Sequence, residues 1–184
     1  MLLTPEEVKA RLSGLSAMHW PNECDIDHDL FLPVAAASKK IDCMAGYFSS
    51  GSLSELSSTL STYLNQDTDS KLRLILSPDF GLEKDRDALA EGFSADKNLL
   101  PLLFPGFSLD EETLKNESVK ALAYLVASER MEFKVAIRAK GILHTKCWLF
   151  DTSAGSVSIS GSGNPTKSGL ADNIEHLTLN RVWT

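Results

Sequence analysis

One of the four histidines stands in His144-Thr145-Lys146-Cys147-Trp148-Leu149-Phe150-Asp151, an H-x-K-x4-D pattern without a gap. Side chains alternate along a strand, so His144 and Lys146 would lie on one face about 7 Å apart. An imidazole and an ammonium would then point into one site. Downstream, Ser160-Gly161-Ser162-Gly163-Asn164 reads as a turn of small residues that presents hydroxyl and amide donors. Glu175 follows in Asn173-Ile174-Glu175-His176, where a carboxylate on the next strand could hold an imidazole in its reactive tautomer.

The elements that must position these residues follow from periodicity and punctuation. Thr4-Pro5-Glu6-Glu7 starts a short helix, with Thr as cap and Pro at the first helical position, ending near Gly14. The pattern predicts a helix from Asp29 to Lys40, a buried strand from Ile41 to Phe48 and a helix from Ser52 to Asn65. Leu72 to Leu76 is a strand closed by Ser77-Pro78-Asp79, and Glu83 to Gly92 a helix. A long amphipathic helix is expected from Asp110 to about Arg130. Strands are then expected at Phe133–Ile137, Leu143–Phe150, Val157–Ser160 and Glu175–Arg181. Alternating βα units followed by a meander predict an α/β sandwich, a mixed sheet flanked by helices on both faces, built as one domain over residues 1–184.

The formal net charge is −7, yet residues 131–184 carry 6 Lys/Arg against 4 Asp/Glu, so the third holding the H-x-K pattern is mildly basic. Cys24, Cys43 and Cys147 are odd in number and lack CxxC spacing, which argues against a disulfide framework and for a reducing cytoplasm. The start of the chain has no signal-peptide pattern, and no run reaches the length of a membrane span.

The H-x-K-x4-D pattern, the Gly161-Ser162-Gly163-Asn164 turn and Glu175 together resemble the phospholipase D superfamily over about residues 131–181. The resemblance implies a phosphodiesterase in which His144 is the nucleophile, Lys146 and Asn164 bind the phosphate oxygens, Ser162 contacts the same group and Glu175 orients His144. Asp151 takes a structural part. Imidazole attack would split one displacement into two through a phosphohistidine, with no metal and no cofactor. Only one H-x-K occurs, so the resemblance implies a homodimer in which two His144 and two Lys146 meet across a two-fold axis.

Other readings of the same residues are weaker. Gly161–Ser168 comes near the P-loop pattern, but Thr166 occupies the second glycine position. Asp25–Asp29 imitates half an EF-hand loop, with Leu30 at the glycine position and Ala36 at the final Glu position. Cys24, His19 and His28 have no further paired zinc ligands. Trp20, Trp148 and Trp183 read as packing residues.

The superfamily covers nucleases and lipid-acting enzymes, so the substrate is argued separately. No basic amphipathic helix suggests a membrane surface, whereas Lys134, Arg138, Lys140, Lys146, Lys167 and Arg181 could line a groove around a phosphate. The expectation is an endonuclease, on DNA before RNA. A phospholipase or phosphatidyl transferase, or a catalytically silent binding module, is the alternative. Lys71–Asp79 and Gly161–Glu175 further resemble PLD-like domains attached to helicases in restriction and phage-defence systems, which implies a helicase or ATPase partner or domain.

Overall fold

The computed structural model describes residues 3–79 and 81–183. Thr4 caps the first helix, α1 (Pro5–Ser13), in a reciprocal box with Glu7, and the strand β1 (Met18–His19) follows. A single wide turn at Asp27–Phe31 leads into α2 (Leu32–Ala35) and then β2 (Ser38–Ala45). The helix expected to reach Lys40 therefore stops at Ala35. The Ser38 hydroxyl donates to the Val34 carbonyl at the helix end, and Ser38 onward is taken up by strand pairing.

The next expected helix is broken at Leu56 into α3 (Gly51–Glu55) and α4 (Ser57–Gln66). The cause lies elsewhere in the chain: the buried Asp27 carboxylate accepts the Ser58 and Thr59 N–H groups at 2.9 and 3.0 Å and so caps a fresh helix start. β3 (Leu72–Leu76) and α5 (Glu83–Ser94) come next, then the short α6 (Leu100–Leu103). The long helix expected from Asp110 is divided at Glu117 into α7 (Glu111–Asn116) and α8 (Ser118–Ala127); α7 packs on α3 and α4, whereas α8 packs mainly on α5. The chain ends in β4 (Met131–Val135), β5 (Lys146–Thr152), β6 (Gly155–Gly161) and β7 (Leu177–Arg181).

All seven strands form one sheet in the order β1-β7-β6-β5-β2-β3-β4. β2, β3 and β4 are parallel, and the remaining pairings are antiparallel. The mixed α/β sheet with packed helices expected from the sequence is present. The steps β2→β3→β4 run in one direction across the sheet, so crossovers of the usual right hand place both helical connections on the same side. Burial alternates accordingly. Ile41, Cys43, Leu72, Leu74, Trp148, Phe150, Val157, Ile159 and Leu179 are buried, while Asp42, Met44, Arg73, Ile75 and Leu149 between them remain partly or fully exposed. On that open face the Arg73 guanidinium grips Asp42 through two bonds of 2.6 Å and holds its carboxyl below the usual carboxylate range. Among the described residues no helix is long and apolar enough to cross a membrane.

Candidate active site

Strand register gathers the chemistry-bearing residues at one end of the sheet. Ala45 pairs with Lys146, Cys147 with Ser160, and Gly161 with Leu177. The segments just outside those pairs are therefore Gly46–Tyr47 after β2, His144–Thr145 before β5, Ser162–Asn164 after β6 and Glu175–His176 before β7. This is the carboxyl end of the parallel strands, where open α/β sheets bind ligands.

His144 lies before β5 rather than on it, so the strand alternation expected to align it with Lys146 is not what brings the two together. The lysine side chain folds back instead. Lys146 Nζ donates to the His144 carbonyl at 3.0 Å and stands 3.1 Å from each ring nitrogen of the same residue. Gly46 permits the close approach of this segment: a Cβ there would sit 2.9 Å from the Leu143 carbonyl oxygen and 3.5 Å from His144 Cα. The His144 ring is exposed and Lys146 half-buried, so the imidazole is open to substrate and the ammonium is sheltered beside it.

Asn164 is fixed from the opposite side. Its Oδ1 accepts the Tyr47 N–H at 3.2 Å, a bond across 117 positions of sequence, and the Ser49 N–H reaches the Pro165 carbonyl at 3.1 Å. With Oδ1 so committed, the amide NH2 is left as the outward donor, and it has no hydrogen bond among the described residues. Gly169 lets the turn close, because a Cβ on it would run into the Asn164 carbonyl oxygen. Segment 46–51 is tied down in turn by the fully buried Asp85, whose carboxylate accepts the Ser50 N–H at 3.2 Å and the Leu82 N–H at 3.3 Å.

Ser162 and Glu175 are at the same end but differently engaged. The Ser162 hydroxyl accepts the His176 N–H at 3.3 Å and stands 3.4 Å from His176 Nδ1. Glu175 lies in the loop before β7, not on the strand as expected, and its Oε1 accepts from Asn173 Nδ2 at 3.3 Å. No bond between Glu175 and His144 is among the described contacts. Asp151 sits near the far end of β5, about 17 Å along the strand from Lys146. It is exposed, and its side chain has no hydrogen bond or ion pair among the described residues. Asp151→Ala is accordingly expected to leave kcat unchanged and stability within about 0.5 kcal/mol, as read by steady-state kinetics and thermal unfolding.

Of the basic groove expected from the sequence, Arg138 and Lys140 lie exposed in the loop that leads to His144. Arg181 belongs at the other end of the sheet, donating to the Leu15 carbonyl, and Lys134 pairs with Glu132 at 3.1 Å. The acidic run at Asp25–Asp29 is used internally: Asp25 holds His28, Asp29 accepts the Asp25 N–H, and Asp27 caps α4. The P-loop-like stretch is followed by one wide turn, Ser168–Asp172, not by the extended helix such a loop needs. No three His, Cys, Asp or Glu side chains converge as a metal site among the described residues.

Several site residues escape the sequence reading. Gly46 and the backbone N–H of Tyr47 carry no motif of their own; only the small residues Ser49-Ser50-Gly51 after a buried strand hint at a strand-end loop. His176 is packed on Ser162, and Trp20, expected inside, is 41% exposed with its ring tilted against His176 at 6.1 Å.

An exposed imidazole with an ammonium beside it lies at the same end of the mixed α/β sheet as the Asn164 amide, the setting of a phosphate-ester hydrolase. The chain belongs to the phospholipase D-like family: residues 34–181 match the family described as "Cardiolipin synthase, PLD-like domain". As a member with the H-x-K-x4-D pattern intact, it is a phosphodiesterase hydrolase. Among solved structures it is similar to NucT from Helicobacter pylori, with 11% identity and a TM-score of 0.44 over 88% of this chain and 82% of that one. It is also similar to Nuc from Salmonella typhimurium, a phospholipase D family member, with 16% identity and a TM-score of 0.46 over 82% of this chain and 72% of that one. No curated protein sequence matches the chain.

Proposed function

We propose that the chain is a metal-independent endonuclease that acts on DNA through a phosphohistidine on His144 in a homodimeric site. The gathering of His144, Lys146 and Asn164 at one end of the sheet, with the Asn164 NH2 left uncommitted, supports this reading. One ring nitrogen of His144 attacks phosphorus, and the bond from phosphorus to the leaving oxygen breaks. That oxygen takes the electron pair and receives a proton from the second subunit's copy of the same histidine. Water then attacks phosphorus and gives its proton to that second histidine, the P–N bond breaks with its electron pair returning to nitrogen, and both imidazoles are restored. Lys146 and Asn164 hold the oxygens that gain charge in both steps, with Ser162 beside them. Glu175 is the half-buried carboxylate on the site's own loops and orients the imidazole once released from Asn173.

The dimer accounts for the leaving-group acid. Of the other histidines, His19 is bound to the Ser16 carbonyl, His28 to Asp25 and Ser58, and His176 to Ser162. Apolar surface surrounds the site on the two loops that carry His144 and Glu175: Ile137, Ile142 and Ile174 are 84%, 60% and 82% exposed. Such a cluster suits a protein interface. The free thiols fit a reducing, cytoplasmic setting. A restriction or phage-defence role with a helicase partner rests on the resemblance of Lys71–Asp79 and Gly161–Glu175 to helicase-attached domains.

The purified protein is expected to nick plasmid DNA and degrade single-stranded DNA in EDTA, eluting as a dimer. Intact DNA and RNA alongside hydrolysis of phosphatidylcholine would overturn the nuclease reading in favour of a lipid substrate.

A further inference from the structure

A cleft of about 420 Å³ has Asn164, but not His144, in its wall. Tyr47 and Asn164 form its near wall, and Lys84, Thr166, Lys167 and Ser168 line the remainder. Lys84 comes from the first turn of α5 and Lys167 from the turn after β6, so lysines of two unconnected elements line one space. Neither ammonium has an ion-pair or hydrogen-bond partner among the described residues. Glu55, whose carboxyl is within electrostatic reach of Lys167, does not line the cleft. A concave surface bearing two positive charges and no acid, in a chain of net charge −7, calls for an anion.

We propose that this cleft is a second phosphate subsite, which takes the phosphate next to the scissile one on a nucleic-acid strand. The proposal rests on the nuclease reading and deepens it. The shared wall at Tyr47 and Asn164 makes the cleft continuous with the place where the reacting phosphate is held, so a ligand in it must be joined to the substrate. A diacyl phospholipid offers one phosphodiester flanked by acyl chains and a headgroup, whereas a polynucleotide always offers a second phosphate. The lysine-serine pair that made Gly161–Ser168 look like a P-loop is thus turned to the neighbouring phosphate of a polymer rather than to a free nucleotide.

The test compares TpTpT with TpT as substrates for the full chain and for Lys84→Ala/Lys167→Ala. Wild type is expected to favour TpTpT by at least about tenfold in kcat/KM, as charge-assisted hydrogen bonds to the extra phosphate would give, and the double variant is expected to lose most of that preference. On longer single strands the dependence of log KM on log salt should flatten by about 0.7 in the variant, as loss of one neutralised phosphate gives. Unfolding midpoints verify that the variant is folded. A preference and salt slope equal to wild type would overturn the subsite while leaving the nuclease reading intact. Should wild type cut neither substrate, binding of oligothymidylate to His144→Ala decides the matter. A salt slope that depends on the two lysines sustains the subsite as the nuclease reading falls, and absence of binding overturns both.

Discussion

Replacing His144 by alanine will reduce phosphodiester cleavage by at least about 10⁴-fold, because a covalent route has no substitute when its nucleophile is gone. The loss should appear in kcat, with binding of the strand retained, since Lys146 and Asn164 still hold phosphate. Stability should change by no more than about 0.5 kcal/mol: the ring is exposed, and its one close side-chain neighbour is the Lys146 ammonium. The decisive measurement is a quenched-flow trap. Wild type should accumulate an acid-labile, base-stable phosphoryl group on His144, and the variant none. Cleavage by His144→Ala within tenfold of wild type would remove the phosphohistidine from the mechanism.

Asn164→Asp is expected to lower kcat by about 10²–10³-fold while leaving the fold intact. The argument turns on which amide atom is committed. Oδ1 already accepts the Tyr47 N–H, so an aspartate can keep that bond and lose only the outward NH2, replacing a donor to phosphate with a repelling oxygen. Asn164→Ala removes the donor without the repulsion, but it also strands the half-buried Tyr47 N–H and should cost about 1 kcal/mol in thermal unfolding. Two variants with similar chemical loss and different stability would separate the two ends of one side chain. A kcat for Asn164→Asp within threefold of wild type would show that the amide does not touch the reacting phosphate.

The parts of this architecture that could be read from the sequence are those decided locally. Leu72–Leu76 alternates buried and exposed residues and is closed by Ser77-Pro78, and β3 occupies those five positions. The helix expected before β2 runs to Lys40 because Lys39 and Lys40 suit a helix as well as a strand, and only the pairing of Ser38 with Thr152 and of Lys40 with Asp151 ends it earlier. The breaks at Leu56 and Glu117 interrupt a 3.6-residue periodicity that continues through them, and the first is imposed by Asp27 through bonds across 31 and 32 positions. In the site, His144, Lys146 and Asn164 were legible through their spacing. The supports were not: a backbone N–H such as that of Tyr47 has no residue type to betray it, and Lys84 meets Lys167 only after the chain has folded. Glu175 shows a different limit, since its place in sequence says nothing about its bond to Asn173.

The bond from Tyr47 to Asn164 bears on how this domain can be inherited. All the recognisable motif residues fall in the last third of the chain, yet the donor that aligns Asn164 comes from the loop after β2, itself pinned by Asp85 on α5. The signature is therefore not a portable cassette. Recombination that moved residues 131–184 alone to another scaffold would carry every letter of the pattern and leave behind the backbone that makes Asn164 point outward, so the two parts must travel and diverge together.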